Sequence, residues 1–192
     1  MRDIAQALGM RQASLYYHAP DGKEQLFVDV ARRSFQQHGQ GLQAAIDEAG
    51  PDLEAQLLAA ADWFASQPSM NLLGMMHADM PVLSQANADL LSEEAFRSLF
   101  QPLMQAFAAA RARDEIRLLQ PDLLAGVFLA LMDGMAYASE SQPKAPPKKV
   151  MARIMVSILL DGLRPGSKLD VEHSRNGKVP FPSQVRQLHL VA

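Results

Sequence analysis

The sequence predicts an all-α protein in two parts, a small N-terminal helix-turn-helix domain followed by a larger helical domain. Two observations carry the prediction. Apolar residues recur at helical spacing in segment after segment, as in Leu53, Leu57, Leu58, Ala61 and Phe64. In addition, residues 2–30 set two short helical patterns around Gly9, the second rich in hydrogen-bonding side chains. A helix of that size fits the major groove of DNA.

Taken in order, Ile4, Ala5 and Leu8 form the inner stripe of a first helix, and Gly9 stops it. A second runs over about 12–18, turning Leu15 inward and leaving Arg11, Gln12, Ser14, Tyr16 and Tyr17 on other faces. Asp21 with Glu24 makes a capping-box-like start for a helix over about 21–45, with Leu26, Phe27, Val30 and Ala31 inward. Gly50-Pro51-Asp52 opens the next, which ends by Pro68; a short helix spans about 70–78. A longer helical region, about 88–113, contains Pro102, which removes a backbone hydrogen bond and predicts a kink or break near Phe100. Arg111 and Arg113 suit its negative C-terminal end. Pro121 and Asp122 start a helix to about 139, and a last one spans about 148–163 after the loop at 141–147.

These last two helices are apolar on more than one face, through Leu124, Val127, Phe128, Leu131, Met132 and Met135, and through Val150, Met151, Ile154, Met155, Ile158 and Leu159. A surface helix needs a single apolar stripe, so the extra width predicts burial against a second surface as well as the protein's own core. Residues 166–192 are polar and turn-rich, and are read as a flexible C-terminal tail. The domain expectation is therefore 1–45, 46–165 and the tail.

Composition sets limits. At 192 residues and 48% hydrophobic the chain can bury a substantial core. It has no cysteine, which excludes disulfides and thiolate metal sites. No opening apolar run reads as a signal peptide, and no stretch of about twenty uninterrupted apolar residues reads as a membrane span, so a cytoplasmic protein without a membrane partner is expected. The net charge of −3 does not advertise a nucleic-acid binder. Residues 1–40 hold five cations, Arg2, Arg11, Lys23, Arg32 and Arg33, against four acids. Affinity for phosphate must come from where those few cations stand. Glycine-rich phosphate loops, nucleophile elbows and paired metal-ligating histidines are missing, so neither catalysis nor a metal or other cofactor is expected.

The run Leu15, Tyr16, Tyr17, His18, followed by Pro20 and Lys23, resembles the TetR-like family of bacterial transcriptional repressors over about the first fifth of the chain. The resemblance implies a ligand-responsive dimeric repressor that binds a double-stranded, near-palindromic operator. Arg11, Gln12, Ala13 and Ser14 begin the recognition helix, and Arg2 matches a position that also reaches a base. Arginine pairs with guanine O6 and N7, glutamine with adenine N6 and N7, and an alanine methyl meets a thymine methyl. Tyr16, Tyr17, His18 and Lys23 are expected at the backbone or groove wall, where contacts fix register. The sequence departs from the pattern at Ala19, where a phenylalanine is usual, and in the longer turn Pro20-Asp21-Gly22. The resembling proteins also carry one more helix before the motif, whereas this sequence starts at Met1; Ile4, Leu8, Leu15 and Phe27 are thus expected to be partly wet.

A chamber for a small-molecule effector is expected among Trp63, Met76, His77, Met80, Phe100, Met104, Phe107, Phe128 and Met132, with Phe64, Met75, Gln105 and Asp133 in reach. The resemblance further implies a homodimer joined by a four-helix bundle through Leu124, Leu131, Met135, Met151, Ile154 and Ile158. The alternative is a truncated helical dimer that holds a ligand without binding DNA.

Overall fold

The computed structural model describes residues 1–141 and 144–165; the expectations for the tail and for Gln142-Pro143 lie outside the described residues. The described chain is helical without strands. Helices α1 (Arg2–Ala7) and α2 (Gln12–His18) are joined by a tight turn. Gly9 adopts φ +64°, its N–H donates to Gln6 O (3.1 Å), and Met10 N–H donates to Ala5 O (2.8 Å). This pair of bonds closes the end of α1, and its left-handed residue is why glycine stands there. Ala5, Leu15 and Ala19 are buried. Leu15, expected to be partly wet, is only 4% exposed, because small residues at Ala5 and Ala19 let the short elements approach closely; Leu8 does remain 60% exposed.

Helix α3 (Gly22–Glu48) runs past the expected domain boundary at residue 45, so one helix spans both parts. The expected capping box does not form. Asp21 makes no side-chain bond to the helix end, since its ψ of 6° lies outside the extended geometry of a capping residue, and Glu24 is engaged elsewhere. Helix α4 (Leu53–Ser66) follows, with Asp52 accepting from Ala55 N–H at 2.8 Å as its N-cap.

The expected short helix over 70–78 is instead a composite: α5 (Leu72–Gly74), a π-helical turn (Met75–Asp79) and a 3₁₀ turn (Met80–Val82). The expected break near Phe100 is also a π-helical turn (Phe96–Phe100), set between α6 (Gln85–Ala95) and α7 (Gln101–Ala112). Each π turn ends two residues before a proline, Pro81 and Pro102. Widening the helix there, with Met80 N–H donating to Met75 O and Gln101 N–H to Phe96 O, accommodates a ring that cannot donate to the preceding turn.

Helices α8 (Pro121–Ser141) and α9 (Lys148–Leu163) complete the body. The main packing runs α3 on α4, α4 on α9, α7 on α8 and α8 on α9, with the second π turn and α6 against α3. Phe35, Leu57, Leu103, Phe107 and Phe128 are completely buried between these layers. Each contributes about 1.5–3 kcal/mol of hydrophobic burial. One stretch, Pro121–Ser139 of α8, reaches the length and mean hydropathy (1.3) of a membrane span without being uninterrupted, since it carries Asp122 as well as Asp133. Its inner side, Leu124, Phe128, Leu129 and Met132, is taken up by the core, and Asp133 interrupts it.

Candidate nucleic-acid interface and ligand chamber

Arg11, in extended conformation (ψ 141°), stands as the N-cap of α2, and Gln12, Ala13 and Ser14 form the first turn. All four are exposed, while Leu15 and Ala19 turn inward. Tyr16 is half exposed and Tyr17 is 85% exposed, its ring meeting that of His18 edge-on with centroids 5.5 Å apart. His18 ends the helix, Lys23 stands in the first turn of α3, and Arg2 is exposed at the start of α1. Among the described residues no carboxylate pairs with Arg2, Arg11 or Lys23, so their charge is available to an anion.

Two contacts tie the start of α3 to the larger domain, and sequence reading missed both. Glu24 accepts from Ser84 N–H and Asn87 Nδ2, each at 2.8 Å, at the N-terminus of α6. Hydrogen bonds from Asn87 and Ser84 hold its carboxyl below the usual carboxylate range. Further along α3, Arg32 lies 3.9 Å from Glu94. A third tie joins α4 to α9: Asp62 takes a two-point contact from Arg153 (2.6 and 3.1 Å) and a third from Lys149 at 3.1 Å. The bond from Arg153 is the main cause of the depressed Asp62 pKa.

The residues expected around a chamber do not line one space. Phe107 and Phe128 are solid core, Met80 is buried, Met76 and His77 are exposed, and Trp63, Phe100 and Met104 pack partly buried on the core. His77 Nδ1 is bonded within its own turn, to Leu73 O at 2.8 Å. A cavity of about 30 Å³ lies between the end of α4, the segment 68–72, the second π turn and α8. Of the expected set only Met132 lines it, with Phe64 and Asp133 from its surroundings. Asp133 lines it and accepts from Leu72 N–H and Leu73 N–H, each at 3.0 Å. Phe64 separates this cavity from His38, stacked on it at 6.4 Å, whose Nδ1 is bonded to Ser34 O and whose Nε2 has no partner.

Of the expected dimer residues, Leu124 and Met135 are buried in the chain's own core. Leu131 and Met151 are partly buried; Ile154 and Ile158 are exposed. Exposed apolar residues continue at four-residue spacing along both helices, Leu123 and Val127 on α8 and Val150, Ile154 and Ile158 on α9. Between them runs an apolar groove of about 370 Å³, floored by Leu131, Met155 and Leu159.

No protein-family model and no curated protein matches the sequence. Two solved structures are similar in fold. A bacterial regulatory protein of the tetR family from Rhodococcus RHA1 is 18% identical, with a TM-score of 0.61 over 85% of both chains. The TetR family transcriptional regulator PfmR from Thermus thermophilus is 22% identical, with a TM-score of 0.59 over 85% of this chain and 88% of its own. The motif at Leu15–His18 and the helical body behind it thus agree with one architecture, and the fold of this chain is TetR-like.

Proposed function

We propose that the chain is a DNA-binding transcriptional regulator of the cytoplasm, a repressor that holds a near-palindromic operator as a homodimer and lets go when a small amphipathic effector binds. The observation that carries the reading is the division of labour within α2. Leu15 and Ala19 anchor it while Arg11, Gln12, Ala13 and Ser14 are presented to solvent at its N-terminal end. That end approaches base edges in this motif. Arg11 and Gln12 read bases, while Tyr17, His18 and Lys23 fix the register on phosphate.

The apolar faces of α8 and α9 support the dimer: a monomer gains nothing from Val127, Ile154 and Ile158 in water. Pairing them about a two-fold axis sets two recognition helices one DNA turn apart, roughly 34–36 Å. Helix α3 supports the coupling. It carries Lys23 at one end, packs on α4 and the second π turn with its other half, and is clamped to α6 through Glu24. An effector shifts DNA affinity only as far as it binds the DNA-free arrangement more tightly.

Hydroxyl-radical footprinting on the DNA upstream of the coding sequence tests the proposal. Two protected half-sites centred about 10 base pairs apart are expected. Uniform cleavage at protein concentrations that saturate a random duplex overturns it.

A further inference from the structure

We infer that the cavity at Asp133 is the head-group site of an apolar amine, so that the effector is a lipophilic ammonium ion; in naming an effector the inference rests on the regulator reading above. The argument starts from charge. Asp133 is the one charged side chain lining the cavity, and its other walls are mostly apolar: Phe64, Met70, Leu72, Leu99 and Met132. No lysine or arginine among the described residues pairs with it. Two backbone N–H groups, of Leu72 and Leu73, are its partners, one on each oxygen. Each oxygen can accept once more, so the carboxylate keeps both its charge and open acceptor positions beside apolar walls. A negative charge so placed selects a cation and repels an anion, and a charge-assisted bond in such surroundings is stronger than one in water.

Size agrees. A volume of about 30 Å³ holds about two waters, hence an ammonium head and its first methylene. The aromatic ring of Phe64 and the thioethers of Met70 and Met132 suit the polarised methylene next to the nitrogen. The segment 68–72 that walls the cavity is tied to α8 by the same Asp133 that would take the head, and the tail leaves past that segment. A cation drawing the carboxylate inward competes with the Leu72 and Leu73 bonds. The wall at Leu99 belongs to the π turn whose Ser98 lies against Gly39 of α3. Occupancy is thereby transmitted to the helix that carries Lys23.

The test is calorimetric titration of the full chain, without DNA, with decylammonium, decanol and decanoate below their aggregation concentrations. Trp63, the single tryptophan and chain neighbour of Phe64, gives a fluorescence readout in parallel. Decylammonium is expected to bind about tenfold or more tighter than decanol, and decanoate more weakly than either. Asp133→Asn removes the charge and keeps an acceptor oxygen for one of the two amides; it should close the gap between amine and alcohol. Ser69→Lys, at an exposed position on the rim, leaves Asp133 and its bonds in place while supplying a resident cation, and should close the same gap. Equal affinities for the three, a gap that survives both variants, or no binding of decylammonium overturns the inference. A chain that binds its operator but ignores the amine keeps the regulator reading and loses the site. Amine selectivity in a chain that ignores DNA does the reverse.

Discussion

Replacing Gly39 by alanine sets two known effects against each other, and the structure decides between them. Gly39 lies in the interior of α3, where alanine is favoured over glycine by about 0.8–1 kcal/mol. A Cβ at this position would, however, meet Ser98 at 2.8 Å from its Cβ, 2.9 Å from its carbonyl oxygen and 3.0 Å from its Cα. Two of these three atoms are backbone of the π turn, so no rotamer change relieves the clash. Helix α3 and the π turn must separate instead, which loosens the packing around Leu99 and Phe35. Overpacking of this kind costs about 1–3 kcal/mol, and a backbone obstacle belongs in the upper half of that range. The net expectation is a loss of about 1–2 kcal/mol, or roughly 2–8 °C in melting temperature for a protein of this size. Gly134→Ala is the matched control, since its Cβ would meet nothing within 4 Å; it should gain about 0.5–1 kcal/mol. Thermal unfolding followed by circular dichroism measures both. A Gly39→Ala variant melting at or above the parent would refute the close approach of α3 to the π turn.

Other expectations follow from the same structure. Tyr17→Ala should weaken binding to operator and random DNA alike with the salt slope unchanged, since it removes no cation, whereas Gln12→Ala should relax preference at one base pair by about 1–3 kcal/mol; anisotropy with matched and substituted duplexes separates the two. Ile158→Asp, on the exposed stripe of α9, should shift the chain to monomer in sedimentation equilibrium without lowering its helicity. Asp62→Asn should cost about 0.5–1 kcal/mol, since the pair with Arg153 is two-pointed but solvated. Because Arg153 holds the folded Asp62 pKa below 3.8, the native contact is fully present above that value and fades as pH falls through the lower folded pKa. The stability gap between parent and Asp62→Asn should therefore be constant at neutral pH and close below pH 3.8. Glu24→Gln should behave in the same sense below pH 4.5, read as loosening of α3 from α6 by hydrogen exchange at Ser84.

What the sequence disclosed is what local chemistry determines. Gly9 between two short apolar patterns announced the end of α1, whose left-handed turn the structure shows, and Pro147 followed by a wide apolar period located α9. Pro102 announced a break, though the form it takes, a π turn, needed the structure; Pro81 carried the same signal and was not read. The exposed end of α2 was legible because polar residues there have no inward partner to serve. Long-range pairing was not. Glu24 reads as a capping residue from its neighbours, but its partners stand 60 and 63 residues away. Asp62 and Arg153 are 91 apart. The chamber was misjudged for a related reason: large apolar side chains at helical spacing look alike whether they fill a core, as Phe107 and Phe128 do, or line a space, as Phe64 does.

The central claim is that the exposed end of α2 holds DNA by specific contacts, and fluorescence anisotropy of the chain on its own upstream DNA across a salt series tests it most directly. The account predicts tighter binding to that DNA than to a random duplex, an affinity that falls steeply with salt, and loss of the difference in the double variant Arg11→Ala, Gln12→Ala. Equal affinity for both duplexes at every salt concentration, unchanged by that variant, would contradict it.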